Sequence, residues 1–414
     1  MMKRTILHVD VNSAYLSWEA VYALQHGARV DLRTIPSVVG GDEKSRHGIV
    51  LAKSIPAKKF NIKTGEVLWS ARMKCPNLVV LPPSYSLYIQ CSNALVNLLK
   101  EYSPLVERYS IDECFMDLTG HCRNKSFEET AWEIKERCRE ELGFTVNVGI
   151  SSNKLLAKMA SEFEKPDKMH TLYPHEIPKK LWPLPVRELF LAGPRTIPVL
   201  YKLNIFTIGQ LAHASPALLK QHLKSHGITL WKYANGIDNS PVTPGERIIK
   251  GIGNSTTTPF DVDNKKEAFL YLLSLTETVA MRLRDKGMMA RVVAVTIRDT
   301  QLSFFSHQRK LAVPSNNTDY LYNEAKRLFT EMWQGNPLRH FGVHLSELTG
   351  NEFCQTSLFD NDFVLRRQSL DKSIDTIRLS HGSGAVIRGA FLHSGIPPLC
   401  GGVHESFPNM RSLL

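Results

Sequence analysis

Ile6-Leu7-His8-Val9-Asp10-Val11-Asn12 and, further along, Tyr109-Ser110-Ile111-Asp112-Glu113-Cys114-Phe115-Met116-Asp117-Leu118 are two short apolar runs interrupted by carboxylates. Both have the length and composition of β-strands. A carboxylate in such a strand is costly to bury unless a positive charge neutralises it. Three of them converging would repel and shift one another's pKa values, unless a divalent cation lay among them. Oxygen ligands without His or Cys suit magnesium, which is usually held by one or two carboxylates plus substrate phosphates. Two such ions, about 3.5–4 Å apart, activate an attacking hydroxyl and stabilise a leaving pyrophosphate. Asp10, Asp112 and Glu113 are therefore read as the catalytic and metal-holding set of a phosphoryl or nucleotidyl transfer. The alternative is that Asp112 and Glu113 alternate sides of an exposed strand.

The chain of 414 residues is long enough for two to four domains, and its 43% hydrophobic and 22% charged content is that of a globular protein. A net charge of +11 favours a polyanionic partner. Residues 166–240 concentrate it, with 9 Lys or Arg against 4 Asp or Glu. The gripping surface and the carboxylates thus lie in different segments. Seven cysteines without a Cys-x-x-Cys pair point to reduced thiols and a cytoplasmic location. No apolar run approaches the roughly 20 residues of a membrane span. His222/His226 and His340/His344 have helical spacing, but neither pair brings a Cys or a third ligand, so packing or surface histidines are expected.

An α+β, multidomain organisation is expected. Residues 12–27 read as a helix capped by Asn12 or Ser13. A strand-and-helix insert occupies 37–75. Amphipathic helices are expected at 85–101 and 126–142. A strand at 144–150 then leads, through caps at Ser151 and Ser152, into a helix over 153–162. Pro166 and the Pro-rich run 174–185 mark a boundary, and 186–236 reads as short helices broken by Gly193-Pro194 and Gly209. After Pro241–Pro244, a helix at 265–286, strands at 291–299 and 301–312 and a helix at 317–334 fit a β-α-β-β-α-β unit. Past residue 350 the core signals fade, with one more helix expected at 370–390.

Asp10-Val11-Asn12-Ser13-Ala14-Tyr15, Ser110-Ile111-Asp112-Glu113 and Gly149-Ile150-Ser151-Ser152-Asn153-Lys154, in that order, resemble the motifs of a Y-family translesion DNA polymerase. The Asp-Val-Asn form and Lys63-Thr64-Gly65-Glu66 resemble the bacterial polymerase V catalytic subunit more than polymerase IV. The resemblance implies a right-hand architecture: palm at 1–36 and 76–165, small fingers at 37–75, a helix-hairpin-helix thumb at 166–240, a little finger at 241–350 and a clamp-binding tail at 351–414. It implies DNA-directed, low-fidelity DNA synthesis on primer–template DNA from deoxynucleoside triphosphates, by a monomer in the cytoplasm. It also implies two Mg2+ ions held by Asp10, Asp112, Glu113 and the Val11 carbonyl.

Further roles follow from the same resemblance. Ser13, Ala14 and Tyr15 would meet the nucleotide, with Tyr15 as the steric gate against a ribose 2′-hydroxyl; a core aromatic is the competing reading. Lys58 and Lys154 would grip the triphosphate, with Lys158 one turn beyond Lys154. Many family members have Tyr and Arg at the positions of Ile55 and Lys58, and Lys lacks Arg's bidentate fork. Gly193 and Arg195 belong to the hairpin that would hold DNA phosphates, although Pro194 removes one N–H donor. Arg247, Lys250, Arg282, Arg284, Lys286 and Arg291 are little-finger candidates for phosphate contacts. Gln355-Thr356-Ser357-Leu358-Phe359 resembles the bacterial sliding-clamp peptide, with Gln355, Leu358 and Phe359 as its anchors. A non-catalytic DNA-binding accessory or a nucleotidyl cyclase are the rival readings. The intact carboxylate set opposes the first, and the hairpin and clamp-like peptide oppose the second.

Overall fold

The computed structural model describes residues 4–43, 46, 48–121, 125–245, 249–351 and 362–398, with backbone alone for 362–365. Strand β1 (Ile6–Val11) is buried along its whole length, which is why its residues apart from His8 and Asp10 are apolar. Helix α1 (Ala14–Gln25) follows. Ser13 takes the expected cap position, but in a left-handed conformation (φ 49°) and without a side-chain cap bond. Asn12 is drawn into the core instead, donating to Asn147 Oδ1 at 3.0 Å.

The insert contains β2 (Ser37–Gly40), β3 (Val50–Lys53), α2 (Ile55–Lys59), α3 (Leu68–Lys74) and β4 (Val79–Leu81). It has its own sheet, ordered β3-β2-β4, and its own small core around Val38, Val50, Ile62 and Leu68. Because β4 pairs with β2, this unit continues to Leu81, past the expected limit at residue 75.

The chain then forms α4 (Tyr85–Lys100), β5 (Val106–Arg108), β6 (Glu113–Asp117), α5 (Phe127–Glu141), β7 (Val146–Ser151), α6 (Lys154–Ser161) and β8 (Met169–Thr171). The main sheet runs β5-β6-β1-β7-β8, with β1 antiparallel to both neighbours. One face packs Leu7, Val9, Val148 and Ile150 against Trp18, Tyr88, Leu99 and Ile134 of α1, α4 and α5. The other face carries His8, Asp10, Glu113 and Phe115, and α6 lies on part of it. Gly149 allows that approach: a Cβ there would sit 1.9 Å from the Ala157 carbonyl oxygen and 2.5 Å from the Ser161 nitrogen. The expected caps of α6, Ser151 and Ser152, give way to Asn153, whose side chain accepts from Leu156 N–H.

Short helices α7 (Ile177–Lys180), α8 (Ile197–Lys202), α9 (Ile208–His213) and α10 (Pro216–Ala234, broken at Lys224) share a core that includes Leu155, Leu156 and Ala160 of α6. Beyond them come β9 (Gly251–Val262), α11 (Lys265–Asp285), β10 (Met288–Asp299), β11 (Phe304–Ser315), α12 (Thr318–Met332) and β12 (Leu338–Gly350), the β-α-β-β-α-β order read from the sequence. This second sheet is ordered β11-β10-β12-β9 and is antiparallel throughout.

The reading of everything past residue 350 as a coreless tail is corrected. Helix α13 (Asp362–His381) starts before the expected 370, and Phe391 and Ile396 are buried in the second core. Its attachment is mainly ionic, Arg284 to Asp371 and Asp375 and Arg378 and Arg388 to Glu277, so hydrophobic periodicity gave no sign of it. Among the described residues no helix is long and apolar enough to cross a membrane.

Candidate active site

In the β1–β6 pairing, Asp10 lies directly opposite Glu113 and His8 opposite Phe115, so His8, Asp10 and Glu113 share a face. The expected strand 109–118 is shorter than read. Tyr109 to Asp112 form a tight connection in which the Tyr109 and Ser110 N–H groups both donate to the Glu113 carbonyl, at 2.9 and 3.1 Å. Asp112 thus precedes β6 and is not bound by strand alternation, which removes the exposed-strand alternative. Its carbonyl accepts from Val11 N–H at 3.0 Å, and its carboxylate accepts from the Ser110 hydroxyl at 2.5 Å.

Burial dominates the electrostatics. It pushes Asp10 up to about 7, although the ammonium of Lys165 pulls the other way. Asp112 is also raised by burial, against the pull of the Ser110 hydrogen bond. Burial would raise Glu113 as well, but His8 and Lys158 together hold it at about 2. His8 is fully buried, which lowers its pKa. Its Nε2 lies 3.2 Å from Glu113; a carboxylate only accepts, so the proton belongs on Nε2. Nδ1 then accepts from the Ser161 hydroxyl at 2.7 Å.

The cleft is therefore short of positive charge around Asp10 and Asp112. Among the described residues no three His, Cys, Asp or Glu side chains are already gathered closely enough to hold a metal ion, Asp10, Asp112 and Glu113 included. The donor set is hard oxygen, the type that holds magnesium through one or two carboxylates completed by substrate phosphates. On chemistry and electrostatics these residues fit that ion.

Tyr15, on the first turn of α1, stacks on Tyr88 with ring centroids 4.3 Å apart. The Tyr88 hydroxyl donates to buried Glu19 at 2.6 Å, which fixes the platform. Burial raises the Tyr15 hydroxyl, and the Asp112 charge adds to it, so the ring lies beside the carboxylates. Ser13 is exposed and Ala14 buried at the start of the same helix.

Neither lysine expected at the triphosphate has a described contact with the carboxylates of the cleft. Lys154 does not turn to the carboxylates; it donates to both oxygens of Glu107 at 2.8 and 2.7 Å. The motif lysine that reaches the site is Lys158, a turn further along α6, which pairs with Glu113. Lys58 is exposed on α2, and no described contact joins it to the site. His8 and Lys165 escaped the sequence reading. The period of two from Asp10 would have put His8 on the same face, whereas nothing local marks Lys165.

Elsewhere, the Gly193 carbonyl accepts from Thr196 N–H at 2.9 Å, and Arg195 is exposed. The element before that hairpin is a single 3-10 turn (Val186–Glu188) rather than a full helix. Arg284 is enclosed by acids and is withdrawn as a phosphate contact. Arg282 is partly buried, while Lys250, Lys286 and Arg291 are exposed. Arg247, Gln355, Leu358 and Phe359 lie outside the described residues. His340 and His344 lie on β12, not on a helix, and His340 bonds to Thr257.

Residues 9–162 match the impB/mucB/samB family, and residues 249–358 match the C-terminal domain of that family. A Clostridium acetobutylicum protein named DNA polymerase IV is 49% identical over 393 residues, covering 94% of this chain and 99% of the relative. Bacillus subtilis DNA polymerase IV 2 is 38% identical and covers 95% of each chain. Among solved structures, a Y-family DNA polymerase chimera of Dbh and Dpo4 superposes with a TM-score of 0.72 at 24% identity, over 84% of this chain and 100% of that one. The α+β fold with its C-terminal domain is thus the fold of that polymerase. The expected leaning toward the polymerase V branch finds no support, since these curated relatives carry the name polymerase IV.

Proposed function

Because this chain belongs to the impB/mucB/samB family, the Y-family DNA polymerases, we propose that the Asp10–Asp112–Glu113 cleft carries out DNA-directed DNA synthesis by nucleotidyl transfer to a primer 3′-hydroxyl. The observation that carries this reading is the convergence of Asp10 on β1, Glu113 opposite it on β6 and Asp112 just before β6, with Asp10 and Asp112 raised by burial. Asp10, Asp112, Glu113 and the Val11 carbonyl would hold two magnesium ions. When bound, these would make the primer hydroxyl more nucleophilic and stabilise the departing pyrophosphate.

The chain's own groups do the positioning. Asp10 and Asp112 would flank the incoming α-phosphate. His8 and Lys158 keep Glu113 ionised and orient it toward the same point. Lys165 is already paired with Asp10 and offers an ammonium to an incoming triphosphate. Tyr15, backed by Tyr88, would close the space beneath the sugar and exclude a 2′-hydroxyl. Loss of the ring in Tyr15→Ala should admit ribonucleotides, while Tyr15→Phe should not.

The remaining parts of the reading rest on family likeness. The body around the main sheet would be the palm and the insert the fingers. The 166–240 helices, with Gly193 and Arg195, would be the thumb, and the second sheet the little finger. Gln355–Phe359 would engage a bacterial sliding clamp. Small fingers and an open site suit low-fidelity synthesis past damaged template positions by a cytoplasmic monomer.

Primer extension on an undamaged primer–template with magnesium and four deoxynucleotides tests the proposal. Short, distributive products from the wild type and none from Asp112→Ala/Glu113→Ala are expected. Absence of product from both, with duplex binding intact, would move the reading to a non-catalytic accessory. Arrest at every abasic and bulky lesion tried would remove the translesion part alone.

A further inference from the structure

The segment that leads from the thumb-like helices to the second sheet is fastened along most of its length. The Asn153 side chain donates to the Gly236 carbonyl at 2.9 Å, and Leu155 N–H donates to Asp238 at 3.2 Å. Arg4 donates to the Ser240 carbonyl at 2.8 Å. Lys154 reaches the Pro241 carbonyl at 3.4 Å, and Thr243 N–H donates to Glu107 at 2.9 Å. Between the last two contacts Val242 is buried, 7% exposed, against Ile6, Phe115 and Ala157.

Glu107 sits at the centre of this arrangement. It is 5% exposed on edge strand β5, and its two oxygens take Lys154 and Thr243 together. Lys154 also lies 4.8 Å from the centre of the Phe115 ring, so its charge is held by one acid and one aromatic face. A buried ion pair is weak support for stability in itself, and setting register is its best-attested use. Here the register it sets is that of the connector.

We propose that the Glu107–Lys154 pair, with Val242 as plug, clamps the connector to the main sheet and so fixes how far the second domain can travel from the carboxylate cleft. Lys154 is then a positioning residue for the second domain and not a triphosphate grip. The inference rests on the polymerase reading, in which one duplex is held by both bodies. Past Thr243, residues 244–250 lead to β9 at Gly251, a span of roughly 25 Å at most when fully extended. Release back to Gly236 would double the free length. Since effective concentration falls as about the −3/2 power of tether length, the second grip on DNA should weaken roughly threefold.

The test uses the full chain with Lys154→Met, which keeps the apolar stem, and Glu107→Gln. Val242→Asp is the third variant; it ejects the plug from the connector while leaving α6 untouched. Three readouts are needed: Kd for primer–template without nucleotide, KM for the deoxynucleotide in single-step extension, and the small-angle scattering of the DNA-free protein. The expected result is a broadened inter-domain distance distribution, a roughly threefold weaker DNA Kd and an unchanged nucleotide KM in all three variants.

A rise in nucleotide KM of about tenfold in Lys154→Met, with scattering and DNA affinity unchanged, would overturn the proposal and restore the grip. Wild-type scattering and affinity in Val242→Asp would overturn it too. If the wild type failed to extend primers, the polymerase reading would fall, whereas the scattering comparison would still decide whether the connector is clamped.

Discussion

Buried charge occurs in both bodies of this protein, with opposite outcomes. In the second domain Arg284 meets Asp371 and Asp375, and Arg378 and Arg388 meet Glu277. Glu277, Asp371 and Asp375 each have a guanidinium, and the network attaches α13 to the sheet–helix unit. At the main sheet, Asp10 and Asp112 are left with too little positive charge, and burial raises both carboxyls, Asp10 to about 7. A closed network stabilises a fold and offers nothing to a ligand. An unclosed one is the signature of a site whose remaining charge arrives with the substrate.

The sharpest way to break this comparison is to exchange the expected consequences. Asp112→Ala/Glu113→Ala should lower primer extension by at least ~10³-fold, because electrostatic positioning is most of what the site supplies. Because Glu113 is paired with His8 and Lys158, the single variant Asp112→Ala, which leaves that pairing in place, is the one whose unfolding midpoint should not fall. Arg284→Ala should do the reverse. With two acids left buried and unpaired, the second domain should lose about 3–5 kcal/mol and α13 should become open to protease, while single-step nucleotide addition stays intact. Denaturant unfolding and limited proteolysis, run beside the extension assay, check both. Equal effects of the two variants on chemistry would remove the distinction.

Gly149→Ala sharpens the comparison at the level of the scaffold. The added methyl meets the backbone of α6, so the helix must shift and Lys158 must leave Glu113. A stability loss of about 1–3 kcal/mol is expected, with a larger fall in catalysis than stability alone explains. An unchanged extension rate would show that the position of α6 is immaterial to the site.

The smallest effect concerns pH. Folding raises Asp10 from the ordinary 3.8 to about 7, so the folded state binds this proton more tightly than the unfolded one. Its stabilising contribution is present below about pH 4 and is lost as pH rises to about 7. Thermal unfolding of the chelator-treated protein should therefore show an Asp10-dependent decline over that window, and Asp10→Asn should flatten it. Magnesium should raise the midpoint of the wild type above pH 7 and have less effect on Asp10→Asn. A wild-type profile identical to that of Asp10→Asn would mean that Lys165 already neutralises the site.

The β-α-β-β-α-β unit was legible because its periodicities are clean: apolar alternation in 291–299 and helical spacing in 265–286. The carboxylates were legible because charge inside an apolar strand is conspicuous. By contrast, the sequence gives α13 no core signature, since its Arg–acid attachments resemble the charges of any solvated helix. The family resemblance assigns Lys154 to phosphate. Glu107, 47 residues earlier, claims it in space. Lys165 went unnoticed for the converse reason: its partner Asp10 lies 155 residues away.

The sequence by itself marked most of the strands and helices, their order and the carboxylates of the cleft. Hydrophobic period and the cost of burying charge are local properties, and a chain displays them before it folds. Only the tertiary structure decided which cation meets which acid. It turned Lys158 and Lys165 toward the cleft, Lys154 toward the connector and Arg284 toward the tail. Ion pairing depends on distance in space, and residues far apart in the chain compete for the same partner until the sheet register and the seat of α6 on Gly149 choose among them.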